Sequence, residues 1–107
     1  MRWIKIFNSI EEGAEAIPAG NSRLVEIGDL KICLSNFDGD FKASENSCPH
    51  RGEDLHKGMV NYLGEIICPW HNYRFSLETG VESSQRCRDL AIYRTKSNEE
   101  GVFVSIP

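Results

Sequence analysis

The chain has 107 residues, of which 40% are hydrophobic and 26% charged, and its formal net charge is -4. This length suits one domain with a modest core, so we expect a single domain over residues 1–107. The acidic balance argues against nucleic acid or an anionic membrane as a partner. No segment reaches the roughly 20 apolar residues that span a bilayer. Because the N-terminal segment also lacks the apolar stretch of a signal peptide, we expect a soluble cytoplasmic protein.

Turn signals recur along the chain and separate short runs of apolar and β-branched residues. They are Gly28-Asp29, Asp38-Gly39, Leu63-Gly64, Thr79-Gly80 and Glu100-Gly101. This rhythm predicts an all-β fold of hairpins. The predicted strands cover 2–6, 23–27, 30–35, 41–44, 65–67, 73–77, 90–95 and 102–106.

Near the N-terminus, Ser9-Ile10-Glu11-Glu12 is typical of a capping box that starts a helix. Gly13 and Pro18 follow closely, so we expect one helical turn at most. Apolar and polar residues then alternate over 30–35, which predicts a half-buried strand. Asp38-Gly39 follows that strand and predicts a hairpin turn.

Two short motifs each combine a cysteine, a proline directly after it, and a histidine. They are Cys48-Pro49-His50 and Cys68-Pro69-Trp70-His71. A disulfide between the two cysteines would leave both histidines without a role, and disulfides are rare in a reducing compartment. Two such pairs instead indicate metal binding. The residues that follow them, Gly52 and Asn72, tolerate the left-handed backbone of a tight loop.

Two kinds of metal centre use two cysteines and two histidines. A zinc ion takes this set in a tetrahedron, but structural zinc motifs usually place both cysteines in one knuckle and both histidines on one helix. In this chain each motif mixes the two ligand types, and no helix is predicted nearby. The alternative is a two-iron cluster in which two cysteines bind one iron and two histidines bind the other.

The stretches CPHRGEDL at 48–55 and CPWHNYRFSLETG at 68–80 resemble the two cluster-binding loops of Rieske [2Fe-2S] proteins. The resemblance implies a Rieske fold of stacked antiparallel sheets, with one [2Fe-2S] cluster at a tip formed by two loops. It also implies the ligands. Cys48 and Cys68 would bind the inner iron, and His50 and His71 would bind the outer iron.

Quinol-oxidising members of this family carry a further cysteine in each loop, and the two form a disulfide. Glu53 and Trp70 occupy those positions here. Those members also place hydroxyl donors after the second histidine, where this chain has Tyr73 and Phe75. Since fewer donors to the cluster imply a lower potential, we expect a midpoint near the low end of the Rieske range, about -150 mV.

Catalytic oxygenase subunits also need an iron site with two histidines and a carboxylate, and only His56 remains for it. The chain therefore resembles small ferredoxins that carry electrons from a flavin-dependent reductase to a terminal oxygenase, and we expect a monomer that is not itself an enzyme. Three alternatives remain: a small Rieske-like subunit of a nitrite reductase, a redox sensor, and a Cys2His2 zinc-binding interaction module.

Several other residues have simpler interpretations. We expect His56 to be a solvated surface histidine and Cys33 to be a core residue. Trp70 is expected both to shield the inner part of the cluster by packing and to form part of a docking rim. The family usually covers its cluster with a proline-bearing third loop, but residues 83–88 contain no proline. Cys87 in that segment is expected near the cluster, and not as a ligand.

Overall fold

Strands dominate the computed structural model, which describes residues 1–107 and confirms the all-β prediction. The strands are β1 (Arg2–Phe7), β2 (Ser22–Ile27), β3 (Leu30–Phe37), β4 (Asp40–Glu45), β5 (Met59–Val60), β6 (Glu65–Ile67), β7 (Arg74–Ser76), β8 (Ile92–Tyr93), β9 (Thr95–Asn98) and β10 (Gly101–Ile106). Helical structure is limited to α1 (Ile10–Ala16) and a 3-10 turn (Leu55–Lys57). Neither α1 nor the 3-10 turn could serve as a membrane-spanning helix.

The strands form three antiparallel sheets, with orders β1-β10-β9, β2-β3-β4-β8 and β5-β6-β7. Strand β3 is buried on both faces, so its prediction as half-buried was wrong. Ile32 and Leu34 lie in a core shared with β1, β4 and β10. Cys33 points the opposite way, into a second core shared with the third sheet, as its core assignment predicted. Because one strand contributes to both cores, the third sheet is fixed to the rest of the fold.

The turn between β3 and β4 has the predicted hairpin form. Phe37 pairs with Asp40, which leaves a two-residue loop. Asp38 and Gly39 have φ values of 50° and 92°. Positive φ at both central residues is what a type I′ turn requires, and its twist matches that of the flanking strands.

Helix α1 is longer than the single turn predicted. Ser9 caps it as expected, because its Oγ accepts a hydrogen bond from the backbone N–H of Glu12 at 3.0 Å. Gly13 does not end the helix but lies buried within it. A Cβ at this position would come within 2.8 Å of Phe41 Cζ, so the glycine allows the helix to pack closely on the first core. Pro18 follows the C-cap and marks the true end.

The predicted strand at 90–95 is two strands in different sheets. β8 pairs with β4, and β9 pairs with β10. The chain passes from one sheet to the other at Arg94. A hydrogen bond from Thr95 Oγ1 to the Phe41 carbonyl, 2.7 Å long, stabilises this crossing. Strand β5 was not predicted, because two residues are too few to show an alternating pattern.

Two glycines in turns give a matched test of the fold around the third sheet. Gly39 and Gly80 have similar φ values, 92° and 83°. A Cβ at Gly39 would meet nothing within 4 Å, whereas one at Gly80 would overlap the carbonyl oxygen of Leu90. We expect Gly39→Ala to cost about 1–2 kcal/mol, from its left-handed backbone alone. Gly80→Ala should cost about 1–3 kcal/mol more, because its neighbour is backbone and cannot move aside easily. Urea unfolding of both variants measures the difference, and equal losses would contradict the packing described.

Candidate metal centre

The first Cys-His motif lies in a loop between β4 and the 3-10 turn, and backbone hydrogen bonds close it. The N–H of Cys48 donates to the carbonyl of Glu53 at 2.9 Å, and the N–H of Gly52 donates back to Cys48 at 2.7 Å. At the base of the loop, Ser47 and Asp54 pair with each other as residues of antiparallel β-strands do. Gly52 has a φ of 77°, as the sequence predicted for this tight turn.

The second motif lies in the loop that joins β6 to β7. The N–H of Cys68 donates to the carbonyl of Tyr73 at 2.8 Å. Asn72 has a φ of 57°, which confirms its predicted left-handed backbone. His71 is also left-handed, with a φ of 69°, and the sequence did not reveal this. Such a conformation is uncommon for a residue other than glycine and clusters at functional sites.

The two loops bring the four candidate side chains together in two layers. Cys48 and Cys68 lie in the second core and are 2% and 1% exposed. His50 is half-buried and His71 is exposed. The two imidazole rings have centroids 5.6 Å apart. The thiols therefore face the protein interior and the imidazoles lie nearer the surface.

Two features of these side chains fit the two-iron cluster that the sequence resemblance implies. Nδ1 of His50 is buried without a hydrogen-bond partner, which leaves a nitrogen free to bind a metal. Burial raises the pKa of the Cys68 thiol, and the neighbouring Cys48 adds to this effect. A bound metal would supply the positive charge that such a buried thiolate needs. No three cysteine, histidine, aspartate or glutamate side chains converge on one point, and a two-iron cluster needs only two protein ligands per iron.

His50 is held in a stack of three planar groups. Its ring lies 4.0 Å from that of Tyr73, at an angle of 8°. The Arg86 guanidinium carbon lies 3.7 Å from the centroid of the same tyrosine ring. Because both neighbours are so close to the ring centre, they must occupy opposite faces. Burial lowers the pKa of His50, and the positive charges of Arg51 and Arg86 lower it further.

The third loop holds Arg86 in this stack through a buried carboxylate. The Glu82 side chain is fully buried. Arg86 donates to it from Nε at 2.9 Å and from Nη2 at 2.8 Å, as a bidentate pair. The backbone N–H groups of Ser84 and Arg86 and the hydroxyl of Ser83 also donate to Glu82. These donors, with Arg86 contributing most, hold the pKa of Glu82 far below its usual range.

A second arginine, Arg88, stabilises the C-terminal end of the same loop. Arg88 donates to both carboxylate oxygens of Glu45, at 2.7 and 3.1 Å. Glu45 also accepts from the N–H of Ala91 at 2.8 Å. Cys87, between the two arginines, packs against the core that contains Cys48 and Cys68. Two arginine–carboxylate pairs thus hold a loop that contains no proline.

Sequence reasoning missed the roles of Glu82, Arg86 and Glu45. Glu82 and Arg86 are four residues apart, so their opposite charges were a local signal that could have been used. Glu45 and Arg88 are 43 residues apart in sequence and gave no such signal.

Two other predicted residues have different outcomes. Trp70 is 51% exposed, and its ring lies 5.1 Å from that of His71, in the outer layer of the site. It is not part of the core around the two cysteines, so its predicted shielding of the inner part of the cluster was wrong, while its predicted place at a docking rim stays a prediction. His56 was predicted to be solvated, and this was wrong, because it is half-buried. Its Nδ1 lies 3.0 Å from Nδ2 of Asn46, and its backbone N–H donates to Oδ1 of Asn46 at 2.9 Å. His56 therefore helps to fasten the base of the first loop.

Comparison with known families agrees with this geometry. The family model described as the Rieske [2Fe-2S] domain matches residues 9–96. The chain belongs to the Rieske [2Fe-2S] domain family. This confirms the resemblance of the two loops and the expectation of a [2Fe-2S] cluster as the cofactor.

Curated relatives of this Rieske domain include short ferredoxins and part of a much longer protein. The 3-phenylpropionate/cinnamic acid dioxygenase ferredoxin subunit of Photorhabdus laumondii is 33% identical, over 86% of this chain and 88% of its own length. Apoptosis-inducing factor 3 of Homo sapiens is 36% identical over 79% of this chain. The match covers only 14% of that human protein.

Solved structures share the fold of this Rieske domain over nearly its whole length. A complex of reduced oxygenase and oxidised ferredoxin in carbazole 1,9a-dioxygenase contains a chain with a TM-score of 0.79 and 26% identity, covering 96% of this chain and 92% of that one. A protein from Mycobacterium tuberculosis named as an NADH-dependent nitrite reductase small subunit has a TM-score of 0.82, covering 99% of this chain and 96% of its own. At 18% identity, this second likeness shows the fold alone.

The lowered pKa of Glu82 predicts how the third loop responds to acid. A carboxylate whose pKa is lower in the folded state stabilises the fold above its unfolded pKa, near 4.5, and loses that contribution as the pH falls. We therefore expect Glu82→Gln to have a smaller free energy of unfolding than the parent at neutral pH. The gap between the two free energies should narrow as the pH falls below about 4.5. Urea unfolding across this pH range measures the difference. A constant difference would contradict the ionised, buried state of Glu82.

Proposed function

We propose that this Rieske domain is a one-electron carrier, and not an enzyme, that passes electrons from a flavin-dependent reductase to a terminal oxygenase. The observation that supports this most is the layering of the site. Two buried thiols lie behind two imidazoles that reach the surface. Such a layout suits electron exchange with a docked protein.

The proposed ligands are Cys48 and Cys68 for the inner iron and His50 and His71 for the outer iron. When bound, the cluster accepts and releases one electron. The buried nitrogen of His50 is free to serve as a ligand atom. The second core, around both cysteines, excludes water from the inner side of the site.

The outer side of the site offers a surface for protein partners. His71 is exposed, and the exposed ring of Trp70 lies beside it. Exposed aromatic residues are enriched at protein interfaces. The relative named as a dioxygenase ferredoxin subunit, and the solved complex of a ferredoxin with an oxygenase, support an oxygenase as the electron acceptor.

Three further properties complete this proposal. Residues 1–107 would form one domain, which is supported by the contribution of β3 to both cores. The domain would act as a monomer in the cytoplasm, where its thiols stay reduced until they bind iron.

The ligand proposal can be tested because the chain contains cysteines and histidines in and out of the site. We expect Cys48→Ala, Cys68→Ala, His50→Ala and His71→Ala each to lose most of the cluster, because each removes one of its four protein ligands. The matched cysteine controls Cys33→Ala and Cys87→Ala should keep about two irons and two acid-labile sulfides per chain. His56→Ala loses a side-chain contact with Asn46 at the base of the first loop but keeps its backbone hydrogen bond and all four ligands, so it should keep most of the cluster. Iron and sulfide analysis with visible absorption gives the readout. Zinc without sulfide in the parent protein, or full clusters in the ligand variants, would contradict the proposal.

The residues around the second loop predict a low reduction potential. Phe75 lacks a hydroxyl, and the Tyr73 ring is stacked on His50, in place of the hydroxyl donors of quinol-oxidising relatives. We expect a midpoint of about -150 mV, at the low end of the Rieske range. A spectroscopic redox titration measures it. A midpoint above zero would assign the protein to the high-potential branch.

A further inference from the structure

The third loop places a buried ion pair directly behind a proposed cluster ligand. Glu82 and Arg86, hereafter the Glu82–Arg86 pair, lie on the segment that follows β7. The carboxylate is fully buried, while the arginine side chain is 45% exposed. A buried carboxylate is costly unless charged hydrogen bonds compensate it, and five hydrogen bonds do so here.

The pair is connected to His50 through a single aromatic ring. The bidentate contact fixes the plane of the guanidinium. That plane packs on Tyr73, and the other face of Tyr73 packs on His50. The Arg86 guanidinium carbon lies 3.7 Å from the centre of the Tyr73 ring, and that centre lies 4.0 Å from the centre of the His50 ring. The orientation of the His50 imidazole is therefore linked to the Arg86 side chain, which Glu82 holds in place.

We propose that the Glu82–Arg86 pair tunes the cluster, because its two charges shift the cluster's reduction potential in opposite directions. This inference rests on the proposed function, since it takes His50 as a cluster ligand. Arg86 favours the added electron, and Glu82 opposes it. Together they form a neutral pair, which stabilises the loop without a large net effect on the potential.

The opposite signs separate this role from a purely structural one. If the pair only fastened the loop, removing either partner would loosen the same contacts and shift the potential in the same direction. If the charges act on the cluster, Arg86→Gln leaves a negative charge uncompensated and makes reduction harder. Glu82→Gln leaves a positive charge and makes reduction easier.

The experiment uses the cluster-loaded protein and five variants. Glu82→Gln and Arg86→Gln each remove one charge, and the double variant removes both. Arg86→Lys keeps the charge but loses the bidentate contact. Lys96→Gln is the matched control, because it removes one positive charge on β9, in a sheet that carries no site loop. Iron and sulfide content is measured first, and then the midpoint potential of each sample at neutral pH.

We expect Arg86→Gln to lower, and Glu82→Gln to raise, the equilibrium constant for reduction by about tenfold each. That is the order of effect of one unit charge at roughly 10 Å and an effective dielectric constant of about 20. For a one-electron couple, tenfold corresponds to about 59 mV. The double variant, Arg86→Lys and Lys96→Gln should stay within about twofold of the parent.

Shifts of Glu82→Gln and Arg86→Gln in the same direction, or no shift in either with the cluster intact, would overturn the inference. If Glu82→Gln does not fold, the test is a comparison of the midpoint potentials of Arg86→Gln and Arg86→Lys. Equal midpoints in these two variants would also overturn the inference. A parent protein without iron and sulfide would instead overturn the proposed function.

Discussion

The site depends on two backbone hydrogen bonds, each of which closes a Cys-His loop. Cys48 donates to Glu53, and Cys68 donates to Tyr73. Each hydrogen bond closes a loop whose cysteine side chain points into the core. The left-handed residues that follow each cysteine reverse the direction of the chain within a few positions. This is why a histidine one or two residues after a proline can lie in the outer layer while its cysteine lies in the core.

Sequence reasoning predicted the parts of the molecule that depend on local chemistry. The two Cys-His motifs, the left-handed Gly52 and Asn72, and the Asp38-Gly39 hairpin turn all follow from residue types at fixed spacing. The errors arose where packing between distant segments decides. Helix α1 continues through Gly13 because an aromatic ring from β4 fills the space beside it. The split of 90–95 into two strands depends on which sheets lie nearby, and no local pattern records that.

The third loop, residues 83–88, is a part of the site that the sequence could predict only incompletely. The absence of proline from residues 83–88 indicated that the loop departs from the family pattern, but not what replaces it. The structure supplies two arginine–carboxylate pairs, one local and one formed across 43 residues of sequence. They hold the loop by charge, where proline would restrict the backbone. This substitution brings a positive side chain against the ring that supports His50, so the stability of the loop and the electrostatics of the site become linked.

In the proposed centre, two histidines bind one iron and two cysteines bind the other. Pulsed electron paramagnetic resonance of the reduced protein, with only its histidines labelled with nitrogen-15, tests this most directly. We expect hyperfine coupling to two histidine nitrogens, with nitrogen-15 in place of nitrogen-14 splittings in the labelled protein. Replacing His50 or His71 should remove part of this coupling. Coupling that is absent, or that is unchanged by the label and by both replacements, would contradict it.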